Sequence, residues 1–220
     1  MKKLLLLFVP LVFFLSCEKD ESSNNSNVSW KGYSYSTVQI GDQLWFAENC
    51  RYLPSVSPSK EISLTEPHCY VYGYEGTVIM QAQSHENYNT YGALYNRTAV
   101  LQLDRICPPG WHIPSDEDWN QLTDYLGGAD VARGKMKESG YEHWGKDNTG
   151  GSNSSGFTAL PAGYTVGYFD GEGWVAVWWS SSNTDSDNSS WKRNVYSNST
   201  ELIRKDHSGE YGFSCRCIKD

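Results

Sequence analysis

Six cysteines, five histidines and nine tryptophans are the side chains of this 220-residue sequence best suited to chemistry or recognition. Cys215-Arg216-Cys217 sets two sulfurs at i and i+2, on one face of a strand, as a two-thiolate metal or oxidase site would. No paired histidines approach it in sequence, so neither metal nor cofactor is assigned there. His112 lies within Cys107-Pro108-Pro109-Gly110-Trp111-His112-Ile113-Pro114, with no recognisable nucleophile and acidic orienter around it. It reads as structural, because the prolines fix the backbone and Gly110 permits a turn that Trp111 covers. Asn153 to Gly163 is small and polar, yet it lacks the lysine and helix opening of a phosphate cradle. Asn183-Thr184-Asp185-Ser186-Asp187-Asn188 offers oxygens at alternate positions, as a calcium loop might, without the EF-hand glycine and terminal glutamate. It reads as a solvated loop, and no catalytic residue is assigned anywhere.

Binding has a better candidate in Trp174-Val175-Ala176-Val177-Trp178-Trp179. Strand alternation puts Val175, Val177 and Trp179 on one side and Trp174, Ala176 and Trp178 on the other. With Trp179 in the core, Trp174 and Trp178 would share an exposed face beside the Asp170-Gly171-Glu172-Gly173 turn. Indoles there could stack on sugar rings or anchor a protein partner. Eighteen Lys+Arg against 26 Asp+Glu give a formal charge of −8, and no basic face for nucleic acid is visible.

The elements that must position these residues begin after an export signal. Lys2-Lys3 precede an uncharged apolar run, Leu4 to Leu15, shorter than the roughly 20 residues needed to span a bilayer. Phe14-Leu15-Ser16-Cys17 resembles the lipobox of bacterial lipoproteins, which implies a signal peptide over 1–16 and acylation of Cys17 after cleavage. Residues 17–29, with Glu18-Lys19-Asp20-Glu21 and a Ser/Asn run, read as a flexible tether. The acidic cluster after the cysteine is similar to the surface-export signal of Bacteroidetes lipoproteins. The resulting expectation is outer-membrane lipid anchoring with cell-surface display.

Residues 30–220 read as one α+β domain. Strands are expected near 35–40, 43–49, 70–74, 157–160, 174–180, 192–197, 200–204 and 212–218. Helices are expected from Ser115, where Asp118 completes a capping box, around 93–103, and over 129–137.

Several blocks carry a family resemblance. Tyr91-Gly92-Ala93-Leu94-Tyr95-Asn96, the Cys107–Asp116 segment, Gly134-Lys135-Met136-Lys137, Asn153–Tyr164, Trp179-Ser180-Ser181 and Ser214–Asp220 occur in order. They resemble the Fibrobacter succinogenes major paralogous domain family over about residues 37–220. The resemblance implies a C-type-lectin-like fold, related to formylglycine-generating enzymes, with short twisted antiparallel sheets, two or three helices, and first and last strands paired so that the termini lie close together. It also implies a Cys107–Cys217 disulfide.

Apart from Cys17, five cysteines remain, and an odd number in an oxidising compartment leaves at least one unpaired within the chain. A second bridge Cys50–Cys215 is one expectation, Cys50–Cys69 its rival, and reduced core thiols the third reading. The functional expectation is a non-enzymatic, membrane-anchored binding or adhesion module for a glycan or protein. A cell-envelope structural lipoprotein and an oxidase or sulfatase-maturase-like enzyme are the alternatives.

Overall fold

The computed structural model of the protein describes residues 27–102, 106–186, 188–199 and 201–220. The leader, Cys17 and residues 18–26 lie outside the described residues. The chain enters as β1 (Asn27–Trp30), β2 (Tyr33–Ile40), β3 (Gln43–Phe46) and β4 (Cys69–Tyr70). Short elements follow: α1 (Ile79–Gln83), α2 (Glu86–Tyr91), β5 (Leu94–Tyr95), α3 (Arg97–Gln102) and β6 (Trp111–His112). Two longer helices, α4 (Asp116–Tyr125) and α5 (Ala129–Met136), precede the hairpin β7 (Ala162–Thr165) and β8 (Phe169–Glu172). The strands β9 (Val175–Asn183), β10 (Ser189–Tyr196), β11 (Ile203–Ser208), β12 (Phe213–Ser214) and β13 (Ile218–Lys219) complete a β-rich α+β domain.

The strongest local signals form as the residues dictate. Ser115 Oγ accepts from the Asp118 amide, while the Asp118 carboxylate accepts from the Ser115 amide, so two otherwise orphaned donors at the start of α4 are satisfied. Trp119 and Leu122 then bury one face of the helix. Gly41-Asp42 turns β2 into β3, with Thr37 opposite Phe46 and Ile40 opposite Gln43.

Three sheets result, ordered β1-β2-β3-β13-β6, β11-β10-β9-β12-β5-β4 and β7-β8. Neighbours are antiparallel except for the single parallel bridge between β12 and β9. β9 divides the core. Val175, Val177 and Trp179 join Tyr95, Phe46 and Phe213 on one side, whereas Ala176 and Trp178 join Trp45, Trp119, Trp144 and Phe157 on the other.

Several expectations need correction. Asn27–Trp30 pairs with Tyr33–Ser36, so the tether expected over 17–29 yields its last residues to the folded domain. The last strand, β13, pairs with β3 and β6 rather than with the first strand. The helix expected over 93–103 is split into β5 and α3, because Asn96 caps α3 by accepting the Ala99 amide. The strand expected over 157–160 is reduced to one bridge between Lys137 and Ala159. The one expected over 212–218 is interrupted at Cys215–Cys217, where the chain passes from the six-stranded to the five-stranded sheet.

Candidate functional site

Strand register builds a cleft on the Val177 side of β9. Lys192 of β10 lies opposite Trp179 and Lys205, Asn194 opposite Val177, and Tyr196 opposite Val175. Period-two alternation therefore gathers Val177, Lys192, Asn194 and Tyr196 on one face. The β7–β8 hairpin lies beside this face, and its tight pairing requires Gly163 at φ 65°. A β-carbon there would sit 2.5 Å from the Asp170 carbonyl and 2.7 Å from the Tyr72 ring. Hairpin and sheet enclose a cavity of about 150 Å³, whose lining includes Lys192, Val177 and Phe213, with half-buried Tyr164, Tyr196 and His207.

The ammonium in this cavity is unusual. Lys192 is 6% exposed, donates to Asn194 Oδ1 at 3.0 Å, and lies 5.4 Å from the centre of the Phe213 ring. Among the described residues no carboxylate forms an ion pair with it. Burial, reinforced by the like charge of Lys205, brings its pKa down to about 8. Its sequence neighbour Arg193 points through the other face and is fully answered, with Asp116 Oδ1 and Asn120 Oδ1 each at 2.7 Å. Beside Lys192, His207 accepts the Ser208 amide at Nδ1, 3.0 Å away, so the neutral ring carries its proton on Nε2. Burial, then Lys192 and Lys205, lower its pKa and favour that neutral form.

Trp174 extends the aromatic wall outward. It belongs to the turn after β8, outside the ladder, and the Ser197 amide donates to its carbonyl at 2.8 Å. Strand alternation does not bind a turn residue, so its ring meets Tyr196 at 4.8 Å and tilts 50° to it. Trp174 keeps 46% of its surface exposed. Tyr164 donates to Asp170 Oδ2 at 3.0 Å, which orients the opposite wall.

The expected pairing of Trp174 with Trp178 on an exposed face is corrected here. Trp178 is fully buried against Trp119 and Phe157, and its indole donates to Asn49 Oδ1 at 2.9 Å. Both faces of β9 are covered, which explains its nearly continuous apolar run. Sequence reasoning missed Lys192, whose only signal was a lysine inside the strand expected over 192–197.

The cysteines also resolve. Cys107 and Cys217 are joined, with Cα atoms 5.7 Å apart, which ties the turn before β6 to the last strand. Cys50, Cys69 and Cys215 are free and buried, so neither Cys50–Cys215 nor Cys50–Cys69 is bridged. The Cys50 amide donates to the Cys215 carbonyl, but its sulfur faces Cys217 instead, at 3.4 Å. Since Cys217 is oxidised, Cys215-Arg216-Cys217 presents no pair of free thiolates.

Arg216, between the two cysteines, is a buried tie. It donates to Asn49 Oδ1 at 3.1 Å, the Thr158 carbonyl at 2.8 Å and the Phe157 carbonyl, with its guanidinium 3.9 Å from the Phe157 ring centre. Burial pushes its pKa down to about 9.

His112 bridges the C-terminus and the α4 cap through Asp220 at 2.6 Å and Asp118 at 3.2 Å. Burial opposes its charge, but those two hydrogen bonds outweigh it and raise its pKa. Asn183 Oδ1 accepts from Arg97, and Asp187 of the same loop lies outside the described residues. Glu138, Glu142 and His143 form a separate surface cluster in which His143 Nδ1 lies 2.9 Å from both Glu138 oxygens.

No curated protein and no solved structure matches the chain. Residues 38–219 match the model of the Fibrobacter succinogenes major domain, a span that includes the disulfide, the Lys192 cleft and, apart from Tyr35, the buried residues of both core clusters. The chain belongs to the Fibrobacter succinogenes major domain family.

Proposed function

We propose that this protein is a lipid-anchored, cell-surface binding module of C-type-lectin-like type, which holds a glycan on the Trp174–Tyr196 wall of the cleft without catalysis. The observation that carries this reading is an indole nearly half exposed and braced on a tyrosine beside a cavity. Such rings offer a large apolar face at little conformational cost, together with polar edges for hydroxyl groups. The lipobox-like Phe14–Cys17 and the acidic, Ser/Asn-rich residues that follow support anchorage and display on the outer membrane.

Glycan-array screening of the full chain, followed by calorimetry on the best binder, tests the reading. Trp174→Ala is expected to weaken binding by about tenfold or more, the cost of losing a central aromatic contact. An array on which no glycan binds, or binding unchanged by Trp174→Ala, refutes it.

A further inference from the structure

We infer that the cavity over Lys192 receives the carboxylate of an acidic sugar residue in the glycan held by Trp174 and Tyr196. This rests on the glycan reading above and names the ligand class for the same cleft.

Buried cations in this protein are answered in different ways, and Lys192 stands apart. Arg193 has a carboxylate, and Arg216 has carbonyls in several directions. Lys137 is sealed at 0% exposure, with Nζ 2.9 Å from the Ser197 carbonyl and 5.0 Å from the centre of the Trp144 ring. Arg133 is buried as well and donates to the Thr149 carbonyl at 2.8 Å; of these five cations Lys192 alone lines the cleft, and its hydrogen bond among the described residues, to Asn194, brings no charge. An ammonium removed from water and left without a counter-ion is costly, and an entering anion would relieve that cost.

The donor set also points to a carboxylate. Lys192 supplies a full charge, and His207, whose Nδ1 accepts the Ser208 amide, lines the same cavity with an Nε2–H to donate. One ammonium and one neutral donor match a single negative charge. Phosphate or sulfate, with three or more acceptor oxygens, is matched better by arginine forks or clustered backbone amides than by one ammonium and one ring N–H. The cavity of about 150 Å³ is smaller than the roughly 300–1,000 Å³ of pockets for drug-sized ligands, so it suits one substituent or ring of a longer chain. The formal charge of −8 disfavours anions at long range, so selection must arise from this local, poorly screened contact.

Calorimetry of the full chain with glucuronate- and galacturonate-terminated oligosaccharides, beside their glucose- and galactose-terminated counterparts, tests the inference. The acidic members are expected to bind about 10- to 100-fold more tightly, the range of a charged hydrogen bond in a buried site. Lys192→Met should abolish that preference, bringing acidic and neutral members to equal affinity, with thermal melting confirming a folded variant. The wild-type comparison stands even if the variant does not fold. Equal affinity for acidic and neutral members, or acid preference surviving in folded Lys192→Met, overturns the inference and leaves the glycan reading standing. Binding to no oligosaccharide at all, or to acidic peptides alone, overturns both.

Discussion

Replacing Cys107 with serine tests how the sulfurs are arranged. The native bridge spans a sequence separation of 110, for which the chain-entropy relation gives about 5 kcal/mol at 25 °C. Losing that outright would remove much of an ordinary domain's stability, about 5–15 kcal/mol. Cys50 offers a substitute, because its sulfur already lies 3.4 Å from that of Cys217. The Phe46 amide on the Cys217 carbonyl and the Cys50 amide on the Cys215 carbonyl, each at 2.9 Å, hold the two segments together. A Cys50–Cys217 bridge would span a separation of 167, and because the cost grows only with the logarithm of loop length, its contribution is again about 5 kcal/mol.

Refolded with oxidised glutathione, Cys107→Ser is therefore expected to form the Cys50–Cys217 bridge and lose only about 1–2 kcal/mol, as an ordinary buried substitution does. The double variant Cys50→Ser, Cys107→Ser should lose about 5 kcal/mol more than the single variant. Urea unfolding with non-reducing peptide mapping measures both quantities. A free Cys217 in the single variant, or equal urea midpoints for the two variants, refutes the reasoning. In the native protein scrambling is expected to be slow, because Cys50 is fully buried and burial pushes its thiol up to about 12. Its thiolate population at neutral pH is thereby about a thousandfold lower.

Three further outcomes follow from the same contacts. Arg216→Lys should destabilise by about 2–4 kcal/mol in urea unfolding, because one ammonium cannot replace a planar fork that serves Asn49, Phe157 and Thr158 together; an unchanged midpoint contradicts this. Ser115→Ala removes the α4 cap and should cost about 1 kcal/mol by the same assay, whereas no loss would mean the capping box contributes nothing. Burial lowers the Lys137 and Lys192 amines from 10.5 to about 8, so the folded chain binds fewer protons than the unfolded one between about pH 8 and 10. The penalty is full below pH 8 and fades as pH rises toward 10. Lys192→Met should remove its share, up to about 3 kcal/mol, and flatten the stability curve across that window. A variant as pH-sensitive as the parent would contradict the burial argument.

Sequence was informative where short-range chemistry decides structure. Ser115 and Asp118 are three residues apart, so the cap of α4 could be read directly, and Gly41-Asp42 between two alternating runs announced the β2–β3 hairpin. What covers a strand face is set by distant segments. Alternation sorted Val177 from Trp178 correctly, but it could not reveal that Trp119 and Phe157 cover Trp178. Lys192 escaped notice for the same reason, since a strand lysine usually snorkels to water unless another hairpin closes over it. Cys50 and Cys215 are backbone neighbours, yet the Cys50 side chain faces Cys217. The helices α1 and α2, of five and six residues, are too short for a periodic signal.

The most direct test of the binding claim is a crystal structure of the protein grown with a glucuronate-terminated oligosaccharide. The expected result is a sugar ring against Trp174 and Tyr196, with its carboxylate about 3 Å from Lys192 Nζ. A sugar bound elsewhere, or one in the cleft with its carboxylate turned to solvent, would contradict it.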